Sequence, residues 1–405
     1  MLAFLYSFSN IFQPGIYWPE LAPWKPMVIL SVVALLAAMR SAAVYPRSSA
    51  FGSKPFVYLM FFLLIQVVSV YYSGFSAMLD EFNFWYAYAI YVVVLVYLIK
   101  DEVSLINAVW GMICGGFFIV GYGIYAVLAG LPSAHGGRAG AYGMYENHND
   151  YSFVIILILP FVYLLRQDEK GLKKLFLSVG MLACVAGIML SLSRGGMLAL
   201  VLEGLLLILM GYNGQRKLFL IVIMLAVGFA GVGYQWAKRA ENQGDIYTSE
   251  DAKTSRYELW GIGKNMVLAH PLLGVGSRRF HEFAQDYGEV SGDNRGKNSH
   301  NTYIEILTGT GLVGFLLFFL YIKNLRRTLS LACSGVTENR VKKIGVAVII
   351  SLYSILLRAL LDAKVHDWSF YTLCALGVAS VALLQMQSSK ERENTRGDEI
   401  VEAVR

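Results

Sequence analysis

Apolar runs of about twenty residues recur along nearly the whole 405-residue chain, and each is long enough to cross about 30 Å of hydrocarbon as a helix. Hydrophobic residues make up 56% of the sequence and charged residues only 15%, which excludes a water-soluble enzyme, a disordered scaffold and a disulfide-stapled secreted domain. The sequence therefore predicts an all-α polytopic membrane protein with about twelve transmembrane helices.

The predicted spans are unevenly distributed. About nine fall within residues 1–236 and about three within residues 303–385. Residues 237–302 are expected to form one long extracytoplasmic loop subdomain, and residues 386–405 a cytoplasmic tail. The individual spans are residues 1–12, 27–43, 56–75, 82–99, 105–131, 151–165, 175–192, 197–212, 218–236, 303–322, 344–361 and 368–384.

Basic residues in the short loops indicate the orientation. Lysines and arginines cluster in alternate connections, for example residues 166–174 and 323–343, and such loops are typically cytoplasmic. Counting crossings from them puts both termini in the cytoplasm. This bias also accounts for the formal net charge of +6 without any nucleic-acid partner.

Polar residues at membrane depth cost free energy, so those near the extracytoplasmic side are the first candidates for a functional site. Four polar clusters fall on that side. Each has an ordinary structural interpretation: Arg194 extending to lipid headgroups, Asn149 capping a helix, His300 bonding a loop carbonyl. Their shared face, assigned from other residues, favours one common site. The clusters are Arg138 with residues 147–150, Ser193 with Arg194, Arg256 with Trp260 and residues 270–276, and His300 to Glu305 with Gly309, Gly311 and Gly314.

These residue types suit a particular chemistry. An arginine fork matches two phosphate oxygens, so a pair of arginines such as Arg194 and Arg256 can hold a diphosphate and offset its charge as it leaves. A neutral histidine such as His300 can take the proton of an attacking hydroxyl. The pattern indicates transfer of a group from a lipid diphosphate to an alcohol.

The order and spacing of these motifs, from about Arg138 to Gly314, resemble those of the O-antigen ligase and O-antigen polymerase superfamily. The resemblance implies a GT-C-like fold and a bacterial inner-membrane glycosyltransferase that needs neither metal nor cofactor and inverts the anomeric carbon. Its partners would be an undecaprenyl diphosphate-linked glycan donor, a glycan or lipid A-core acceptor, and membrane lipids. The family's Asn-Pro-Asn reads Asn147-His148-Asn149 here, which is a departure.

The resemblance also implies residue roles. Arg194 and Arg256 would bind the donor diphosphate, Arg138 would add to that surface, and His300 would be the base or would orient the acceptor. Glu305 either orients His300 or satisfies a buried polar neighbour. The positions expected to support the site or face the acceptor are Asn149, Ser193, Asn301, Tyr303 and Glu305.

Other functions and local interpretations stay open. A polymerase that extends the glycan on its carrier, or a transferase acting on a protein hydroxyl, would use the same donor site. A transporter of the lipid-linked sugar is disfavoured because the sequence has no internal repeat and the spans carry few charges. Arg358 and Asp362 are expected to form an ion pair at helical spacing, and Arg278 and Arg279 to face water.

Overall fold

The computed structural model describes residues 1–44, 48–132, 137–210, 249–363 and 366–404. The fold is 81% helix, and no strand occurs in the residues described, which confirms the predicted all-α class. The helices longer than ten residues are α1 (Leu2–Phe12), α2 (Pro26–Val44), α3 (Lys54–Val68), α4 (Phe75–Leu98), α5 (Glu102–Ala129), α6 (His148–Arg166), α7 (Gly171–Ser191), α8 (Arg194–Leu209), α9 (Ser249–Ala269), α10 (Thr302–Ser334), α11 (Arg340–Arg358) and α12 (Trp368–Val404).

Several of these helices are long and apolar enough to cross a membrane. Within the described residues, six meet both criteria, namely α4, α5, α6, α7, α10 and the first part of α12. Three shorter apolar helices lie at Leu2–Phe12, Pro26–Arg40 and Lys54–Val68. The chain is therefore a multi-pass helical membrane protein. The count of twelve crossings stays a prediction, and the predicted span over residues 218–236 lies outside the described residues.

The centre of the bundle is formed by α6 and α12. In their apolar windows 78% and 89% of residues are buried, whereas in α7 the share is 33%. Helix α6 packs against α5, α7, α8 and α11. Asn147 caps its start by accepting a hydrogen bond from the main-chain N–H of Asn149. The polar residues at this start thus belong to one of the two most buried helices among those compared.

Helix α10 is broken at Gly311, whose φ of 63° and ψ of −164° are not helical. A segment of the preceding loop fills the break: the Val275 N–H donates to the Thr308 carbonyl over 2.7 Å, and the Leu312 N–H donates to the Pro271 carbonyl over 2.8 Å. A Cβ on Gly311 would lie 2.2 Å from the Leu272 carbonyl oxygen. The glycine is therefore required by close backbone approach as well as by its positive φ.

The described part of the predicted loop subdomain has its own small core. Helix α9 lies across the start of α10, and short helical turns follow it. The buried side chains of this core are Leu259, Ile262, Met266, Val275, Phe280 and Ala284.

Candidate active site

The four predicted clusters meet at one end of the bundle, which we call the site end. It is the end at which α6, α8 and α10 begin and α11 finishes. The basic residues Lys323, Arg326 and Arg327 lie toward the opposite end, because they follow the break at Gly311 by 12 to 16 residues, which is about 18–24 Å of helix. The structure thus gathers in one place segments that are far apart in sequence.

Arg138 lies in the loop between α5 and α6 and reaches the start of α6. One terminal nitrogen, Nη1, is 3.2 Å from Nε2 of His148. The main-chain N–H of Ala139 donates to the carbonyl of Leu190 at the close of α7, which fixes this loop beside the turn into α8. Burial lowers the pKa of the Arg138 guanidinium, and the charge of Arg194 lowers it further.

The turn into α8 presents Arg194. Ser193 caps the helix by accepting a hydrogen bond from the Gly196 N–H, and its hydroxyl donates to Oδ1 of Asn149 over 2.8 Å. Leu192 makes the sharp turn with a φ of 51°. Arg194 is exposed at the first position of α8. The predicted partners Asn149 and Ser193 therefore fix the turn and leave the arginine side chain accessible.

Arg256 approaches the same place from α9. One turn later, the indole N–H of Trp260 donates to the main-chain carbonyl of Ser299 over 2.9 Å, so α9 is anchored to the loop that carries His300. Burial lowers the pKa of Arg256, the charge of Arg194 lowers it further, and Asp362 opposes the change. Arg194 therefore lies near both Arg138 and Arg256, and its charge repels theirs.

His300 is held in an uncommon conformation. Its φ is 51°, in the left-handed region that non-glycine residues rarely adopt. Ser299 on one side accepts a hydrogen bond from the Asn301 N–H, and Asn301 on the other side caps α10 by accepting from the N–H groups of Tyr303 and Ile304. A strained residue fixed from both sides is typical of functional sites.

The imidazole of His300 is suited to accept a proton. Burial lowers its pKa below the usual value, and the charges of Arg256 and Lys297 lower it further. The neutral form therefore predominates at pH 7. Within the described part of the chain no hydrogen bond engages the ring. A ring nitrogen is thus free to accept a hydroxyl proton.

The remaining predicted positions support the loop. Glu305 is buried, and its Oε2 accepts a hydrogen bond from the Ser299 hydroxyl over 3.0 Å. Among the described residues no hydrogen bond joins Glu305 to His300, which favours the interpretation as a partner of a buried polar group. The Tyr303 hydroxyl donates to the Leu356 carbonyl over 2.8 Å. These contacts hold the loop that carries His300 in place.

Arg358 is a site residue that the sequence did not identify as one. Only 2% of it is exposed. Its Nη2 donates to the main-chain carbonyl of Asn149 and lies 3.6 Å from Oδ2 of Asp362, so the predicted ion pair is confirmed. The Arg358 Nε is 3.6 Å from where a Cβ on Gly195 would be. Arg358 therefore contacts the starts of both α6 and α8.

The residues after Arg358 complete the connection. The Thr302 N–H donates to the carbonyls of Ala359 and Asp362, and the Thr302 hydroxyl donates to the latter over 2.6 Å. The loop of His300 is thereby attached to the same segment that carries Arg358 and Asp362. All four predicted clusters are linked through contacts that sequence spacing does not indicate.

The expectation that Arg278 and Arg279 face water is wrong for both, because the Arg278 side chain is only 35% exposed and the Arg279 side chain 19%. The Arg278 guanidinium lies 3.2 Å from Oε1 of the buried Glu81 and sits over the Phe84 ring, 3.7 Å from the centroid. Ser277 extends this contact, because its hydroxyl donates to the side-chain oxygen of Gln66 and its main-chain N–H donates to the Ser69 hydroxyl. These bonds fasten the loop after α9 to α3 and α4. Arg279 pairs locally with Glu282 at 3.6 Å.

Among the described residues, no three His, Cys, Asp or Glu side chains come together in a group that could hold a metal ion. The charged groups at the site end include Arg194 with Arg138 and Arg256 near it, His300 near Arg256, and the buried Arg358.

The fold and the site together define the class of protein: a multi-pass helical membrane protein with a cationic site at one end. Comparison with known proteins then indicates the family that the chain resembles. Residues 179–319 match the family model described as O-Antigen ligase. The exopolysaccharide production protein ExoQ of Rhizobium meliloti (strain 1021) is 28% identical over 116 residues, which are 27% of this chain and 26% of that protein. The chain thus matches about a quarter of the length of this relative.

The resemblance to the O-antigen ligase superfamily is confirmed by these matches. The matched segment 179–319 contains Arg194, Arg256 and His300, whereas Arg138 and Arg358 lie outside it. The two arginines outside it are joined to the segment by the contacts described above.

Proposed function

We propose that this protein is an O-antigen ligase-like glycosyltransferase. It transfers a glycan from an undecaprenyl diphosphate-linked donor to an acceptor hydroxyl, on lipid A-core or a similar sugar, with inversion at the anomeric carbon. The observation that carries this proposal is the convergence of Arg138, Arg194 and Arg256 around one end of the bundle with His300 beside Arg256. The O-Antigen ligase match supports the same reaction class.

The reaction places each group in a defined role. The diphosphate of the donor binds the accessible guanidinium of Arg194 together with Arg256 and Arg138, and its charge relieves their mutual repulsion. The acceptor oxygen forms a bond to the anomeric carbon as the bond from that carbon to the diphosphate oxygen breaks. The leaving diphosphate keeps the electron pair, and the arginines stabilise it. His300 takes the acceptor proton.

The site is proposed to face the extracytoplasmic side of a bacterial inner membrane, with both termini in the cytoplasm. The support is the distribution of charge, because the end of the bundle opposite the site carries Lys323, Arg326 and Arg327. On this assignment residues 1–236 and 303–385 form the transmembrane part, residues 237–302 the extracytoplasmic subdomain, and residues 386–405 the cytoplasmic tail.

A purified-component assay tests the proposal. The full chain in lipid nanodiscs, given lipid-linked glycan, acceptor and a chelator, should release undecaprenyl diphosphate. A variant carrying His300→Ala, Arg194→Ala and Arg256→Ala should release none, while Arg326→Ala, an exposed arginine at the opposite end, should act like wild type. Full transfer by the triple variant would remove the proposed chemistry.

A polymerase is the second candidate, and it is supported by the similarity to ExoQ, an exopolysaccharide production protein. Both activities use the same donor site and differ in the acceptor. Product length separates them: a ladder of repeats on the carrier indicates a polymerase, and one transfer to a second lipid indicates a ligase. A glycosylated protein product would indicate transfer to a protein hydroxyl.

A further inference from the structure

A groove lies at the site end between α2 and α4, separate from the arginine cluster. Its volume is about 650 Å³, within the range of about 300–1,000 Å³ that small-molecule sites occupy. Val28, Val32 and Leu35 line one side, and Tyr86 and Ile90 line the other. The spacing of three or four residues puts each set on one face of its helix.

These lining side chains are exposed as well as apolar. Val28 is 56% exposed, Val32 50%, Leu35 38%, Tyr86 42% and Ile90 38%. The eight residues from Val28 to Leu35 extend the groove along about 10 Å of helix. An elongated apolar surface on membrane helices suits a hydrocarbon chain, and packing rather than exclusion of water must give the selectivity there.

The groove ends at a positive charge. Lys25, immediately before α2, lines the end nearest the site, and none of the other described lining residues is charged. Gln13 lies beside it. A cation above an apolar channel is complementary to an amphiphile with an anionic group at the head of its chain.

The same end of the groove joins the loop that carries the arginine cluster. Met144 lines the groove, and its sulfur accepts a hydrogen bond from Nε2 of Gln13 over 3.0 Å. Met144 belongs to the loop that starts with Arg138 and leads into His148, and these two residues meet at 3.2 Å. Ile16, also in the lining, packs on Gly143 of that loop.

We infer that this groove binds the polyprenyl chain of the lipid-linked donor. The inference rests on the proposed function and assigns the chain a place beside the proposed diphosphate site. Continuity through the Arg138–His148 loop favours the donor over a bulk phospholipid, because a single molecule spanning both places needs an apolar chain that starts at a diphosphate.

Two tryptophan substitutions on neighbouring positions test it. Leu35→Trp fills the groove, whereas Leu36→Trp, at a position that is 61% exposed and outside the lining, adds the same bulk to the bilayer side of α2. Wild type and both variants in nanodiscs are photolabelled with undecaprenyl diphosphate that carries a diazirine on its chain. Leu35→Trp should lose labelling about tenfold, and Leu36→Trp should keep it.

Chain length gives a second measurement. Leu35→Trp should raise the KM for an undecaprenyl-linked donor about tenfold and leave the KM for a farnesyl-linked donor unchanged. Equal labelling of Leu35→Trp and wild type, or equal loss in both variants, overturns the inference. So does displacement of the photolabel by phosphatidylglycerol as readily as by unlabelled undecaprenyl diphosphate, since that marks a general lipid site.

The two failures are distinguishable. Labelling of the groove without transfer to any acceptor contradicts the proposed function and leaves the groove assignment standing. Transfer by wild type with labelling that maps elsewhere contradicts the groove assignment alone.

Discussion

Arg358 donates a hydrogen bond to the main-chain carbonyl of Asn149, a residue 209 positions earlier in the chain. The same guanidinium pairs with Asp362, and its Nε and Nη1 have no hydrogen-bond partner among the described residues. One buried side chain therefore joins the start of α6 to the segment on which the loop of His300 rests.

Replacing Arg358 should destabilise the protein. Arg358→Ala removes one partner of a buried ion pair and leaves Asp362 with an uncompensated charge, so we expect a loss of about 3–5 kcal/mol in the free energy of unfolding. Denaturant titration of the detergent-solubilised protein measures this, with Arg326→Ala as the exposed control. An Arg358→Ala protein as stable as the control would show that the contacts of Arg358 with Asn149 and Asp362 do not stabilise the fold.

Replacing His300 should abolish transfer while the fold is kept. Asparagine tolerates the left-handed conformation that His300 adopts, so His300→Asn preserves the backbone with a φ of 51°. Loss of a general base should lower kcat by about 10²–10⁴-fold. Donor turnover and thermal melting, measured on the same samples, separate the two effects; an unchanged kcat would exclude His300 as the base.

The pH profile should report the lowered pKa of His300. The neutral imidazole is the base, so the rate should rise as pH increases through that pKa and level off above it, with the acidic limb below about pH 6.5. Lys297 lowers this pKa and lies outside the proposed machinery. Lys297→Ala should shift the acidic limb to higher pH; a limb in the same place would contradict the electrostatic link.

Removing Arg194 should weaken diphosphate binding without destabilising the unliganded protein. Hydrogen bonds to charged groups contribute about 1.5–3 kcal/mol, so Arg194→Ala should raise the Kd for inorganic diphosphate roughly 10–100-fold. Arg194 is exposed and repels Arg138 and Arg256, so its loss should not lower the unliganded Tm. Calorimetric titration and thermal melting check both parts, and a lower unliganded Tm would contradict the second.

Alanine at Gly311 should disrupt the break in α10. A Cβ would meet the Leu272 carbonyl oxygen at 2.2 Å, and the φ of 63° is unfavourable for alanine. Gly121 has open space around it and serves as the control. Gly311→Ala should lose at least about 1–3 kcal/mol of stability, measured by thermal melting beside Gly121→Ala. Equal melting of the two variants would show that the loop can move away freely.

The sequence predicted the helical class and the shared location of the polar clusters, because apolar run length and the cost of polar groups at membrane depth are local properties. It did not predict the role of Arg358, since spacing of four residues indicates only its pair with Asp362, while the contact with Asn149 depends on tertiary packing. The left-handed backbone at His300 is fixed by Ser299 and Asn301 in the folded state and has no signal in composition.

For Arg278 the sequence predicted exposure to water, whereas the folded protein gives it a buried partner. Two adjacent arginines in a loop are typical of a solvated surface, yet the first of them, Arg278, forms an ion pair with Glu81 of α4. The partner is in a helix far earlier in the chain, so no pattern near Arg278 reveals it.

The attachment of Thr302 to Asp362 also limits how this protein can be re-engineered. A chimera that imports residues 249–301 from a relative replaces the residue at position 301, and with it the hydrogen bond from the Asn301 amide to the Leu360 carbonyl, while the bond from Thr302 to the Asp362 carbonyl stays native. The short segment after α11 has to be exchanged together with the loop. Grafting only the longer piece should give a protein that folds but misplaces its histidine, which under the proposed function would impair transfer.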